Sequence, residues 1–147
     1  MNTNEIVKAT GALKIVVTAP DGSIKQDVEV KNLVVTAGLG FIASRMVGTA
    51  AGVMSHMAIG SNTTAAALAN TGLGAELGRV ALTAGTASGA VATYTATFGA
   101  GVGTGAVTEA GILNASSGGT MLCRTVFPVV NKDTGDTLSI TWTVTIA

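Results

Sequence analysis

The segment Ala90-Val91-Ala92-Thr93-Tyr94-Thr95-Ala96-Thr97-Phe98 alternates without a break, with Val91, Thr93, Thr95 and Thr97 on one side and Ala92, Tyr94, Ala96 and Phe98 on the other. Successive side chains of a strand point to opposite faces, so this pattern predicts a strand with its aromatic face turned to a core. Leu77 to Ala84 alternates in the same way, and the small residues Gly85 to Gly89 between the two runs read as a turn. Together they predict an antiparallel pair.

Working outward, Ala12 to Thr18 is a β-branched run, Ala19-Pro20-Asp21-Gly22 carries a strong turn signal, and Ser23 to Val30 alternates again, which predicts a leading hairpin. From Thr36 the period changes: Leu39, Phe41, Ile42, Met46 and Val47 fall near helical spacing, with Thr36 or Asn32 available as N-cap and Gly48 as a stop. Thr49 to Val53 reads as loop. His56 to Gly60 reads as a short buried strand, and the polar stretch Ser61 to Asn70 holds one candidate helical turn at Thr64 to Ala69. Ala106 to Leu113, Thr120 to Phe127 and Thr137 to Ile146 complete about eight strands, with Asn114 to Gly119 and Pro128 to Asp136 as connections. The expectation is an all-β fold, a jelly-roll-like antiparallel β-sandwich with one short helix. Residues 1–10, polar and aperiodic, are expected to be a flexible N-terminal arm, and 11–147 a single β-sandwich domain.

Composition narrows the function. The chain has 147 residues, of which 48% are hydrophobic but only 3% aromatic, so its core is built from small side chains. Charged residues make up 11%, with eight basic and eight acidic, against roughly 25% in ordinary soluble domains. A surface with so little charge has little to repel a neighbour, which favours association. Basic residues are not clustered, so nucleic acid is not expected as a partner. Two long uncharged windows, Met46 to Ala75 and Val80 to Thr108, are interrupted by Gly, Thr, Ser and Asn, so neither reads as a membrane span. The start of the chain lacks a charged region followed by a continuous apolar stretch, and Cys123 is the only cysteine. Both point to synthesis and folding in a reducing cytoplasm.

Candidate chemistry is sparse. His56 is the only histidine and its neighbours Met54, Met57 and Ile59 are apolar, which favours a structural role. Asn131, Asp133, Gly135 and Asp136 resemble part of a calcium loop without the closing bidentate Glu, and read better as a polar turn. The glycine run Gly99 to Gly105 leads into a strand rather than a helix, so it lacks the context of a phosphate cradle. Glu109 and Arg124 are placed to pair across adjacent strands, a contact worth under about 1 kcal/mol if exposed. Cys123 reads as a small buried hydrophobe. The expectation is therefore no catalytic residue, no cofactor-binding residue, no metal ligand and no enzyme activity.

Three groups of segments also carry a resemblance. Asn32 to Leu39, His56 to Ser61 and Thr71 to Glu76, followed by Thr108 to Leu113, Gly118 to Pro128 and Asp136 to Trp142, resemble in that order a family of small virion structural proteins of tailed bacteriophages. Members are described both as capsid cement or decoration proteins and as tail-fibre proteins. The resemblance implies a decoration protein on the capsid surface of the virion that binds the major capsid protein. The low charge and positive mean hydropathy add the expectation of a homo-oligomer, a dimer or trimer. The alternative it leaves is a small tail-fibre or baseplate protein involved in host adsorption. A tail fibre needs a shaft and a receptor tip, and this chain shows neither, nor any internal repeat. The leading hairpin before Asn32 lies outside the resemblance.

Overall fold

The computed structural model describes residues 6–48 and 52–147. Among these, nine strands and one helix follow in the order β1 (Ala9–Thr18), β2 (Ile24–Val34), α1 (Thr36–Met46), β3 (His56–Gly60), β4 (Glu76–Ala81), β5 (Ala84–Ser88), β6 (Val91–Phe98), β7 (Gly105–Leu113), β8 (Met121–Lys132) and β9 (Thr137–Ile146). The strands form one continuous antiparallel sheet in the order β4-β3-β7-β8-β2-β1-β9-β6-β5, so the all-β class with a single helix is what the chain adopts. In place of two separate sheets there is one curled sheet.

The curl pivots on β2. Its residues up to Asn32 pair with β1, while Leu33 and Val34 pair with Arg124 and Cys123 of β8. One strand thereby belongs to both halves. Their inward faces share a single buried cluster, in which Leu13, Ile15 and Val17 of β1 and Leu138, Ile140 and Trp142 of β9 meet Ile59, Val107, Ile112 and Val130 from the other half. Every second residue of β9 from Leu138 to Val144 is buried, as period-two alternation requires.

The β1–β2 hairpin follows its turn chemistry: Gly22 N–H donates to the Ala19 carbonyl at 2.9 Å, and the Asp21 carboxylate accepts from Ser23 N–H at 2.9 Å. Strand β1 begins earlier than expected. Ala9 and Thr10 pair with Ile146 and Thr145 of β9, so the arm anticipated over residues 1–10 does not extend that far; residues 1–5 lie outside the described residues. Helix α1 spans nearly the range its periodicity predicted, and Gly48 after it has φ of 68°. Its N-cap is Val35, not Thr36 or Asn32, and no side chain caps it. The Thr36 N–H instead donates to the Leu68 carbonyl at 2.9 Å, a long-range contact invisible to local sequence. Of the expected loop at Thr49 to Val53, residues 49–51 lie outside the described residues.

Three further expectations need correction. Gly85 to Ser88 is not a turn but most of β5, which pairs with β6 from Ala84 opposite Thr95 to Ser88 opposite Val91, while β4 pairs with β3. Thr64 to Ala69 holds no helix; a single hydrogen-bonded turn runs from Ala67 to Asn70. Strand β8 also runs past Phe127 to Lys132 through Pro128. The register between β7 and β8 shifts here, with Val107 opposite Val130 and Glu109 opposite Val126. Such a bulge frees Pro128 from having to donate to the ladder.

Candidate functional site

The densest polar constellation surrounds Glu109 on β7 and Arg124 on β8. Arg124 lies opposite Gly111, so Glu109 is its diagonal neighbour on the same face of the sheet. The pairing anticipated across the two strands forms, and both side chains are enclosed, at 0% and 3% exposure, so the value for an exposed pair does not apply. The guanidinium Nε donates to Glu109 Oε2 at 3.0 Å and Nη2 lies 2.9 Å from the same oxygen.

This pair has a purpose beyond itself, because both partners reach into the segment 61–75 that links β3 to β4. Glu109 Oε1 accepts from Ala75 N–H at 2.8 Å and Asn62 N–H at 3.2 Å, and Oε2 accepts from Gly74 N–H at 3.0 Å. Arg124 Nη1 donates to Asn70 Oδ1 at 3.0 Å and Nη2 to the Thr64 carbonyl at 3.1 Å. Thr108 Oγ donates to the Asn62 carbonyl at 2.9 Å. A long irregular connection must satisfy its backbone groups somewhere, and here two buried charges do so. Burial pushes the Glu109 carboxyl upward, but the amides of Gly74, Ala75 and Asn62 and the Arg124 guanidinium outweigh it and hold the group below its ordinary value. Gly60 leaves the space this arrangement needs, since a Cβ there would collide with Glu109 Oε1 and sit 2.5 Å from the Ala75 carbonyl.

A second cluster lies at the β8–β9 turn. Lys25 Nζ is 2.9 Å from Asp133 Oδ2 and 2.6 Å from Asp136 Oδ2, and Asp136 Oδ2 also accepts from Asp133 N–H at 2.8 Å. The ammonium stands between the two carboxylates on which the calcium-loop comparison depended, so one of their two charges is already balanced by the chain itself. Hydrogen bonding from Lys25 holds the Asp136 carboxyl below the usual range. Beside it the enclosed Lys132 Nζ donates to the Gly99 carbonyl at 2.8 Å, and Gly101 N–H donates to the Thr134 carbonyl at 2.7 Å. The glycine run Gly99 to Gly105 is thus tied to this turn. Burial draws the Lys132 ammonium down, opposed by Asp136.

The remaining candidates are separate from both clusters. His56 opens β3, half-buried, and its Nδ1 shares a hydrogen bond of 2.7 Å with Ser55 Oγ. Cys123 is fully enclosed, and burial pushes its thiol far up, away from the thiolate a nucleophile needs. Asn62, Thr64 and Asn70 were not singled out in the sequence, and no local signal marks them; a carboxylate inside an apolar strand was the one sign that something must reach it. Among the described residues no helix is long and apolar enough to cross a membrane.

The surface offers apolar side chains near α1 and the first strand. Val7, Ala9, Leu39, Ile42, Met46 and Ile146 line a groove of about 170 Å³, with Val7 67% and Met46 83% exposed. Comparison with known proteins returns no match to a family model, to a curated protein or to a solved structure.

Proposed function

We propose that the chain is a non-enzymatic structural protein of a bacteriophage virion, a capsid decoration protein that binds the major capsid protein on the shell surface and stabilises the head. The observation that carries this reading is the exposed apolar groove beside α1, on a molecule in which Glu109, Arg124, Lys25, Asp133 and Asp136 fasten its own loops. Adhesion over a surface needs a rigid scaffold and exposed apolar contacts rather than a poised acid or base. The resemblance in the segments from Asn32 to Trp142 points the same way, and so does the low charge. Individually weak contacts suffice for such a role, because a subunit touching several shell proteins gains avidity on the order of 10²-fold.

Quantitative mass spectrometry of purified virions tests it. Hundreds of copies per particle are expected, together with loss of the protein from heads when Met46→Asp is introduced into a chain that still folds. A handful of copies would overturn the shell assignment in favour of the tail.

A further inference from the structure

The outermost strand of the sheet, β5, is an edge that carries no charge, proline or bulge of its own, while Arg45 of α1 lines a cavity together with Gly85, Thr86 and Ala87. All five of its residues, Ala84-Gly85-Thr86-Ala87-Ser88, are exposed, and no charged residue or proline occurs anywhere from Val80 to Thr108. Natural edges are protected by charges, prolines, bulges or a covering element, because an edge presents unpaired N–H and C=O groups ready to bind another strand. The opposite edge, β4, is guarded in this way: Glu76 and Arg79 pair there at 2.7 Å, and Arg79 Nη1 also donates to the Ala115 and Gly118 carbonyls. The register with β6 contains no bulge, so β5 stays regular to its end.

We infer that β5 is a homotypic interface, pairing antiparallel with β5 of a second copy about a two-fold axis near Thr86. The occupant follows from the chemistry of the edge. Only another extended backbone satisfies a row of alternating donors and acceptors. Two copies of an uncharged, small-residue strand meet with no like-charge repulsion between the strands' own side chains and no bulk to force them apart. Antiparallel pairing of a strand with itself is closed by one two-fold axis, which makes a dimer instead of a fibre. Alternation places Ala92, Tyr94 and buried Phe98 on the inner face of β6, with Gly85 opposite Tyr94 and Ala87 opposite Ala92; Thr86 therefore lies on the outer face, beside its symmetry mate. The paired area is small against the roughly 1,000 Å² of a stable interface, so the contact is weak in solution and gains from neighbours held at high local concentration. This holds whether or not the shell assignment does.

Sedimentation equilibrium on the full chain is the test, with Thr86→Lys and Thr86→Glu as variants, since an outward side chain on an exposed strand leaves the fold intact. The wild type is expected to show concentration-dependent dimerisation, each variant alone to be monomeric, and an equimolar mixture of the two to regain dimer through the opposed charges. Thr86→Cys, checked under non-reducing conditions, is expected to form a covalent dimer, whereas Ser117→Cys is not. A wild type that stays monomeric to about millimolar concentration, the range reached by weak contacts, overturns the inference. So do a Thr86→Lys chain that dimerises like the wild type, a mixture that does not recover, or equal crosslinking at position 117.

Discussion

The segment 61–75 and the β5–β6 hairpin solve opposite problems. The first is irregular, and its backbone amides at Asn62, Gly74 and Ala75 are satisfied by one buried carboxylate whose partner, Arg124, reaches Asn70 and Thr64. The second is regular and carries no charged side chain of its own. Where the backbone cannot pair with itself, buried charges hold it in place. Where it can, charge is dispensable, and leaving it out keeps the edge open to another strand.

The largest perturbations separate what the two regions share from what they do not. Trp142→Ala removes the largest side chain of the common core and should cost about 3 to 5 kcal/mol in urea unfolding, loosening both regions together. Arg124→Met should cost a similar amount, about 3 to 5 kcal/mol, by leaving Glu109 buried and unpaired. Its effect should differ in kind: limited proteolysis should cut within 61–75 while the β5–β6 hairpin stays resistant.

Acid should release the same segment. The folded Glu109 carboxyl titrates below its ordinary value of 4.5, so its contribution is complete above that value and is lost as pH falls through the folded one. Asp136 behaves in the same direction, so the informative quantity is the difference between the wild type and Glu109→Gln. That difference in urea midpoint should be largest near pH 7 and shrink steadily toward about pH 3. A difference independent of pH would contradict the assignment.

How far these features could be read from sequence depends on how local their causes are. Alternation gave the bounds of β6 and β9 within a residue or two, because a half-buried strand writes its period directly into the chain, and β3, buried along most of its length, showed as a short apolar run. Strand β5 was misread because Ala, Gly, Thr and Ser serve turns as well as they serve an edge; only pairing with β6 decides between them. Pro128 suggested a connection because a proline ends most strands; it lies instead in a bulge of β8, where residues 127–129 face the single residue Thr108 of β7, and only that pairing reveals it. In the polar cluster, Glu109 and Arg124 were recognisable as a pair, yet their burial was not, since it depends on segment 61–75 folding over them.

Smaller effects sharpen the contrast further. Asn70→Ala removes one neutral acceptor from Arg124 and should cost about 0.5 to 1.5 kcal/mol, far less than losing the charge itself. Ser88→Lys on the open edge should change the stability of the isolated chain by less than about 0.5 kcal/mol, because its side chain contributes nothing to the core.

The claim that two buried charges make an irregular segment part of the fold is tested most directly by amide hydrogen exchange in the wild type and in Glu109→Gln. Opening free energies range from near zero in mobile loops to the global value in core strands. The amides of Asn62, Gly74 and Ala75 should exchange in the wild type as slowly as those of β7, and should lose that protection in the variant while β7 and β9 keep theirs. Rapid exchange of these three amides in the wild type, or protection unchanged by the substitution, would contradict the account.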